Sequence, residues 1–380
     1  MTPSPSTTVQ PKNLLFITGT RADYGKLEPL AKAAIDAGHK VTFFVTGMHM
    51  LDQYGRTKIE VHRLSGTNIV EFLNHRPSDN QDIVLTKTIT GLSDFLQEHH
   101  FDLVLIHGDR IESLAASIVC ATNYIRSAHI EGGEVSGTID ELLRHCNTKL
   151  STFHLVSSDS AKRRILRMGE EETRIKVIGS PELDIHTQPT GIDLESVKSR
   201  YEISFDDFGL CIFHPVTSEQ DTIAAQASTL FRNLEDSGKN FIVIMPNNDP
   251  GCVDIMTIIE KLPKPRFRVL PSIRFLYFSE LLRNAKVMIG NSSAGVREAP
   301  YLGLPSLDIG SRQTNRSKSA SVFQCSAFDD DYIRTFLNIE WDKSYERSNE
   351  YGIGNATKRF VDVLSDSAIW NLPLQKSFVD

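Results

Sequence analysis

Short apolar runs recur along this chain, and the stretches between them are long enough to hold helices. Asn13–Thr18 (NLLFIT), Val41–Thr46 (VTFFVT), Leu103–His107 (LVLIH), Ser127–Ile130 and His154–Ser157 form one series. Leu210–His214 (LCIFH), Phe241–Pro246 (FIVIMP), Phe267–Leu270, Val287–Gly290 (VMIG) and Ser306–Ile309 form another. Runs of this length, apolar at nearly every position, suit strands buried on both faces, and the helical spacers supply the covering layers. The fold class is therefore α/β, with parallel sheets.

Two series fit the length. A chain of 380 residues exceeds what one ordinary core organises, so two domains of comparable size are expected. After Gly179-Ser180-Pro181 the pattern loosens into a polar, turn-rich stretch. This reading gives a loose tail over 1–11, a first domain over 12–185, a connection over 186–206 and a second domain over 207–360. A helical segment follows over 361–380, whose packing partner the pattern does not specify.

The function classes narrow by exclusion. A net charge of −7 disfavours nonspecific nucleic-acid binding, which needs a basic surface. No apolar run is long enough to cross a bilayer, and Met1–Pro11 lacks the basic start and apolar stretch of a secretory signal. The five cysteines, Cys120, Cys146, Cys211, Cys252 and Cys325, are scattered and include no C-x-x-C pair. They suggest neither a disulfide framework nor a zinc site, and a reducing cytoplasm fits best.

Ligands of open parallel sheets gather at the carboxyl ends of the strands, and the polar clusters of this chain sit there. Gly19-Thr20-Arg21-Ala22-Asp23-Tyr24-Gly25-Lys26 follows one strand and opens a helix. It reads either as a diphosphate cradle, with Arg21 and Lys26 as cations, or as a glycine turn with solvated charges. It matches neither the Walker A spacing nor the three-glycine dinucleotide fingerprint. His107-Gly108-Asp109-Arg110 places Asp109 as an acid or base at a strand end, or as a helix cap. His129-Ile130-Glu131-Gly132-Gly133-Glu134 offers two carboxylates and a glycine pair that permits close approach to a ligand. Asp140 and Arg144, four apart, share a helix face, as an ordinary surface pair or as part of the same pocket. In the second series, His214-Pro215 and Gly290-Asn291-Ser292-Ser293-Ala294-Gly295-Val296-Arg297-Glu298 follow strands. The small and hydroxyl residues suit an anion, and Glu298 suits the hydroxyls of a ribose. Ser311-Arg312-Gln313-Thr314-Asn315-Arg316 adds two cations in a polar loop.

In their order, these motifs resemble the UDP-N-acetylglucosamine 2-epimerase family, most specifically in GTRADYGKL, HGDR, HIEGGE-x-SGT-x-D, FHPVT and GNSSAG-x-REAP. The likeness runs from about Asn13 to Arg316. It is narrower still to the hydrolysing branch of bacterial sialic-acid synthesis. Non-hydrolysing relatives carry a glutamine-rich segment where this chain has Thr46-Gly47-Met48-His49-Met50, and Ala-Gly-Leu-Arg where it has Gly132-Gly133-Glu134-Val135. The resemblance implies two Rossmann-like domains of the glycosyltransferase-B type, facing across a cleft that holds the active site.

It also implies roles. Asp109, Glu131 and Asp140 match the catalytic carboxylates, with Glu141 the neighbouring alternative to Asp140. Arg21, Lys26, His214, Ser292, Ser293, Glu298 and Arg316 match positions that contact UDP, with Arg312 an alternative to Arg316 across an apparent one-residue insertion. His214 also stands in the catalytic set, Glu134 and Arg144 in the substrate site, and Phe278 beside the uracil. The implied reaction is anti elimination of UDP to 2-acetamidoglucal, then syn hydration to N-acetylmannosamine, with no cofactor or metal and with a homodimer as the assembly. Rival readings are the bacillosamine-type sugar nucleotide as substrate, a non-hydrolysing epimerase, a glycosyltransferase of the same architecture, and a catalytically silent UDP-sugar sensor.

Overall fold

The apolar runs become strands because no solvent-facing side is available to them. Every residue of LVLIH over Leu103–His107 is buried, as is every residue of GLCI over Gly209–Ile212. A computed structural model describes residues 10–52, 56–76, 79–136, 139–187, 191–247, 249–377 and 379. Most of the expected tail, up to residue 9, lies outside the described residues.

The chain begins with β1 (Asn13–Thr18), α1 (Arg21–Asp36), β2 (Lys40–Val45), α2 (Lys58–Val61), β3 (Thr67–Glu71) and α3 (Gln81–Glu98). It continues through β4 (Leu103–His107), α4 (Ile111–Thr122), β5 (Ser127–Ile130), α5 (Ile139–Leu150), β6 (Phe153–Val156), α6 (Asp159–Arg167), β7 (Ile175–Val177) and α7 (Glu182–Ile185). The second series holds α8 (Leu194–Tyr201), β8 (Gly209–Ile212), α9 (Ile223–Asp236), β9 (Phe241–Ile244), α10 (Cys252–Ile259), β10 (Phe267–Leu270) and α11 (Phe275–Asn284). After these come β11 (Met288–Gly290), α12 (Glu298–Leu302), β12 (Ser306–Ile309), β13 (Val322–Cys325), α13 (Asp330–Ile339), α14 (Ala356–Ser365) and α15 (Ser367–Trp370).

Among the described residues the strands form two parallel sheets, one in the order β3-β2-β1-β4-β5-β6-β7 and one in the order β10-β9-β8-β11-β12-β13. In each, the order reverses beside the first strand, between β1 and β4 and between β8 and β11. Crossovers leave in opposite directions there, so the strand ends open a crevice. β3, β7 and β13 were not among the expected strands. All three are edge strands whose residues are largely half-exposed, so they lack the continuous apolar signature.

The chain divides into two units. One comprises Met1–Glu134, Leu142–Asp184 and Gly352–Asp380, the other Val135–Glu141 and Ile185–Tyr351. This differs from the sequence expectation at three places, the first being Val135–Glu141, which was expected in the first domain and groups with the second unit. The 186–206 stretch is not a bare connection: α8 begins at an Asp193 cap, and Val197, Ile203 and Phe208 enter the second unit's core with Leu281 and Leu282. The segment after Gly352 belongs to the first unit, including 352–360, which had been assigned to the second domain. Phe360, Leu364 and Ile369 are fully buried against Leu27, Leu30 and Ala34 of α1. Each such side chain contributes about 1.5–3 kcal/mol on burial. Asp184 accepts from the backbone of Ala356 at 2.8 Å and Thr357 at 2.7 Å, capping α14. Arg126 donates to the carbonyls of Ile369, Trp370 and Leu372, and Arg174 to that of Pro373. No helix among the described residues is long and apolar enough to cross a membrane.

Candidate active site

In the first unit the turn after β1 is closed on itself. Thr20 caps α1 and Asp23 completes a capping box. Asp23 Oδ2 accepts from the Gly19 and Thr20 N–H groups at 3.1 and 3.0 Å, and the Thr18 hydroxyl donates to Oδ1. The Gly19 and Thr20 N–H groups of this turn are therefore taken, and the buried carboxylate of Glu112 lies against Gly19. His49 donates from Nε2 to Thr18 Oγ1 at 3.0 Å and accepts at Nδ1 from Thr57 at 2.8 Å, a tautomer fixed by Thr18's commitment of its only hydrogen to Asp23. Burial lowers the His49 pKa and keeps the ring neutral.

Neither expected cation of this turn is solvated. Arg21 pairs with Glu60. Lys26 Nζ reaches Glu131 Oε1 at 2.9 Å and Oε2 at 3.1 Å, and Glu182 Oε1 at 3.5 Å. Glu131, at the end of β5, is 6% exposed and holds φ at +64°, a left-handed conformation that a side chain rarely adopts. His107 Nε2, from the end of β4, stands 3.4 Å from Glu131 Oε2.

Asp109, just past β4, pairs with Arg144 of α5, whose guanidinium also donates to the Glu134 carbonyl at 3.1 Å. Arg144 is 4% exposed: burial opposes its charge, but Asp109, then Glu134 and Glu131, more than compensate and raise its pKa. Arg144 is thus not the surface-helix partner that the i, i+4 spacing from Asp140 allowed. Glu134 is itself buried and accepts from the Ser157 hydroxyl at 2.6 Å. His129 is pushed down to about 3 by burial; its Nε2 donates to the Gly108 carbonyl at 2.8 Å and its Nδ1 accepts from Thr148. The glycine pair serves the protein's own packing. A Cβ on Gly132 would meet His129 Nδ1 at 2.8 Å, and one on Gly133 would meet the Ala161 carbonyl oxygen at 2.4 Å.

Asp140 lies in the first turn of α5, one turn before Arg144. Glu141 beside it accepts from the Ser136 N–H at 2.6 Å and so closes the entry to the helix. Gly137 and Thr138, within the expected motif, lie outside the described residues.

In the second unit, His214 follows β8 and Asn291 follows β11, on either side of the strand-order reversal. His214 Nδ1 accepts from the Asn247 N–H at 3.0 Å. Its pKa is pushed down to about 3 by burial, aided by Arg312, so the ring is neutral with its proton on Nε2. It can donate one hydrogen bond there, but it is not a cation. Ser292 and Ser293 are half-buried in the turn that follows, and Glu298 opens α12 at 5% exposure. Arg312 Nη1 donates to the Asn291 carbonyl at 3.2 Å, and Arg316 Nη1 to Gln313 Oε1 at 2.6 Å. Arg312 is the guanidinium that His214 senses, while Asp308 is influenced first by Arg316. Burial raises Asp308 to about 7 against both arginines. Phe278 is 6% exposed and packs in the core with Leu281 and Leu282. Among the described residues, no group of three or more His, Cys, Asp or Glu side chains is arranged to hold a metal ion.

A family model described as UDP-N-acetylglucosamine 2-epimerase matches residues 32–365. The chain is 41% identical over 97% of its length, and 99% of the relative's, to "UDP-N-acetylglucosamine 2-epimerase" of Neisseria meningitidis serogroup B. The chain belongs to the UDP-N-acetylglucosamine 2-epimerase family. A second member, "UDP-N,N'-diacetylbacillosamine 2-epimerase (hydrolyzing)" of Legionella pneumophila, is 31% identical over 96% of this chain and 98% of its own. Among solved structures, UDP-GlcNAc 2-epimerase from Neisseria meningitidis bound to UDP-GlcNAc superposes with a TM-score of 0.75 at 18% identity, over 92% of this chain and 99% of that one. The fold is thus the one that the family resemblance implied, two Rossmann-like α/β units of the glycosyltransferase-B type.

Within this family member, the first unit brings together Asp109, Glu131, Glu134, Arg144 and Lys26. The second brings together His214, Ser292, Ser293, Arg312 and Arg316. Several residues that build these clusters escaped sequence reading. Glu182, fully buried beside Lys26, follows a Gly-Ser-Pro turn that pointed to a boundary instead. Glu60 lies in a four-residue helix without periodicity, and Asn247 contributes only a backbone N–H. Glu219, which joins Ser311 to Gln226, was detectable only as one more polar residue after FHPVT.

Proposed function

We propose that this chain hydrolyses UDP-N-acetylglucosamine with inversion at C2, giving UDP and N-acetylmannosamine for sialic-acid-type sugar synthesis. The observation that carries this reading is the first unit's set of carboxylates at the ends of β4 and β5: Asp109 paired with Arg144, and Glu131 paired with Lys26 with the His107 ring nearby. In the first stage a base takes the C2 proton, the C–H pair forms the C1–C2 double bond, and the C1–O pair leaves on the diphosphate. In the second stage water adds its hydroxyl to C1 and a proton to C2 on the same face. Asp109, Glu131 and Asp140 are the groups assigned to these proton transfers. Glu141 is the weaker alternative to Asp140, because its carboxylate already serves the Ser136 backbone.

The second unit is assigned the nucleotide. His214, as a neutral Nε2–H donor, and Arg312 with Arg316 suit the diphosphate, where charge develops as UDP departs. Ser292 and Ser293 suit a phosphate oxygen, and Glu298 the ribose hydroxyls. Arg21, committed to Glu60, needs to exchange partners before it meets UDP, and Phe278 contributes to a uracil site as its floor. The homodimer implied by the resemblance and the cytoplasmic location that the cysteines suggest belong to this proposal, and light scattering of the purified chain tests the first.

Incubation with UDP-N-acetylglucosamine alone in D2O tests the reaction. Free N-acetylmannosamine carrying deuterium at C2, with UDP and no acceptor, is the expected result. Accumulation of UDP-N-acetylmannosamine refutes hydrolysis, and a requirement for an acceptor points to a glycosyltransferase. A second reading, a diacetylbacillosamine nucleotide as substrate, is supported by the Legionella relative. The ratio of kcat/KM for the two sugar nucleotides decides between them.

A further inference from the structure

The residues assigned to the diphosphate in the second unit come from three separate loops, and one buried residue, through its side chain and its backbone carbonyl, joins all three. Asn291 is 2% exposed and stands directly after β11. Its Oδ1 accepts from the His214 N–H at 2.7 Å, and its Nδ2 donates to the His214 carbonyl at 2.8 Å. The carboxamide thus pairs with both polar groups of the His214 backbone, continuing by a side chain the ladder that β8 and β11 make by main chain. Gly290 makes this reach possible. With φ at +130° it brings the two strand ends so close that a Cβ would lie 2.0 Å from the Ile212 carbonyl oxygen.

The Asn291 backbone does as much in the other direction. Its carbonyl accepts from Arg312 Nη1 at 3.2 Å and from Gln313 Nε2 at 3.0 Å. Gln313 in turn accepts from Arg316 Nη1 at 2.6 Å. Both arginines of the loop after β12 are therefore referenced to the residue that fixes the histidine of the loop after β8. A donor and two guanidiniums can serve one diphosphate only if their spacing is set beforehand, because a misplaced group must be reordered at a free-energy cost on binding.

We propose that Asn291 is a positioning residue that sets His214 and Arg312 in a single geometry for a nucleoside diphosphate. The proposal rests on the reading of this site as the UDP site. It acts through other groups, so its signature is coupling. With UDP as the probe, Asn291→Ala raises Kd about tenfold or more, and raises KM for the sugar nucleotide more than it lowers kcat. In a His214→Ala, Arg312→Ala background the same change has little further effect on UDP affinity, because the groups it places are gone. Asn291→Asp, of the same shape, keeps the acceptor for the His214 N–H but replaces the donor with an oxygen that faces the His214 carbonyl. The 15N spectrum of the imidazole should then lose the fixed Nε2–H tautomer even where stability is unchanged. Equal losses from Asn291→Ala in both backgrounds, or an unaltered tautomer with unaltered Kd in Asn291→Asp, overturn the proposal. If the unmodified protein does not bind UDP, the functional reading itself fails. If it binds UDP and Asn291 is uncoupled, only this inference does.

Discussion

Replacing Asp109 by Asn tests whether its carboxylate has one role or two. As a proton-transfer group its loss abolishes turnover; as the counter-ion of Arg144 its loss also leaves a guanidinium buried at 4% exposure. Breaking a buried pair from one side costs about 3–5 kcal/mol. The Asp109 side chain is 24% exposed, and Glu134 and Glu131 also favour the charged arginine, so the cost is discounted below that range, to about 2–3 kcal/mol. For a unit of this size each kcal/mol moves Tm by about 2–4 °C, so Asp109→Asn should lower the first unit's transition by about 4–12 °C. Scanning calorimetry, UDP titration and a turnover assay on the same sample separate the effects. The expected result is no turnover, a lowered first-unit transition and nearly unchanged UDP affinity. An unchanged transition refutes the counter-ion role, and retained turnover refutes the chemical one.

Three further outcomes follow from the geometry. Gly133→Ala, with φ at +75° and a Cβ 2.4 Å from the Ala161 carbonyl oxygen, should cost about 2–5 kcal/mol in a urea titration; a change below about 1 kcal/mol would mean that α6 yields freely. Lys26→Met strands Glu131 and Glu182 without their shared cation and should destabilise by about 3–5 kcal/mol, and adding Glu182→Gln should restore part of that loss; no restoration would deny that the two acids share it. Asp308, raised by burial to about 7, stabilises fully only below its unfolded value near 4 and loses that contribution as pH rises toward 7. Asp308→Asn should therefore be more stable than the parent at pH 8 and nearly equal at pH 4, measured by urea midpoints.

The central strands of both sheets were legible because burial on two faces leaves no choice but apolar residues, as in LVLIH and GLCI. The edge strands were not, because one flank of β3, β7 and β13 has no neighbouring strand and their sequences TNIVE, IKV and VFQC carry the polarity that this permits. Site residues behaved similarly. Asp109, Glu131 and His214 stood out by following apolar runs, and Arg144 and Lys26 by the motifs that hold them, yet the further partners did not. Glu182, Glu60 and Asn291 are defined by what they touch across more than 35 residues of sequence, and short-range patterning holds no trace of such pairings. The same reasoning explains why the Gly19 turn read as an anion cradle. A glycine turn before a helix advertises its donors, but not the Asp23 side chain that accepts from the Gly19 and Thr20 N–H groups.

The return of residues 352–380 to the first unit has a consequence for biosynthesis. Ribosomes release a chain from its N-terminus, and domains generally fold as their residues emerge. The first unit begins to appear first, but its core lacks Phe360, Leu364 and Ile369 until nearly the last of the described residues is made. The second unit, complete at Tyr351, has all its strands available earlier. The order of completion on the ribosome is therefore the reverse of the order in sequence, and the nascent first sheet must wait, partly uncovered, while its neighbour folds.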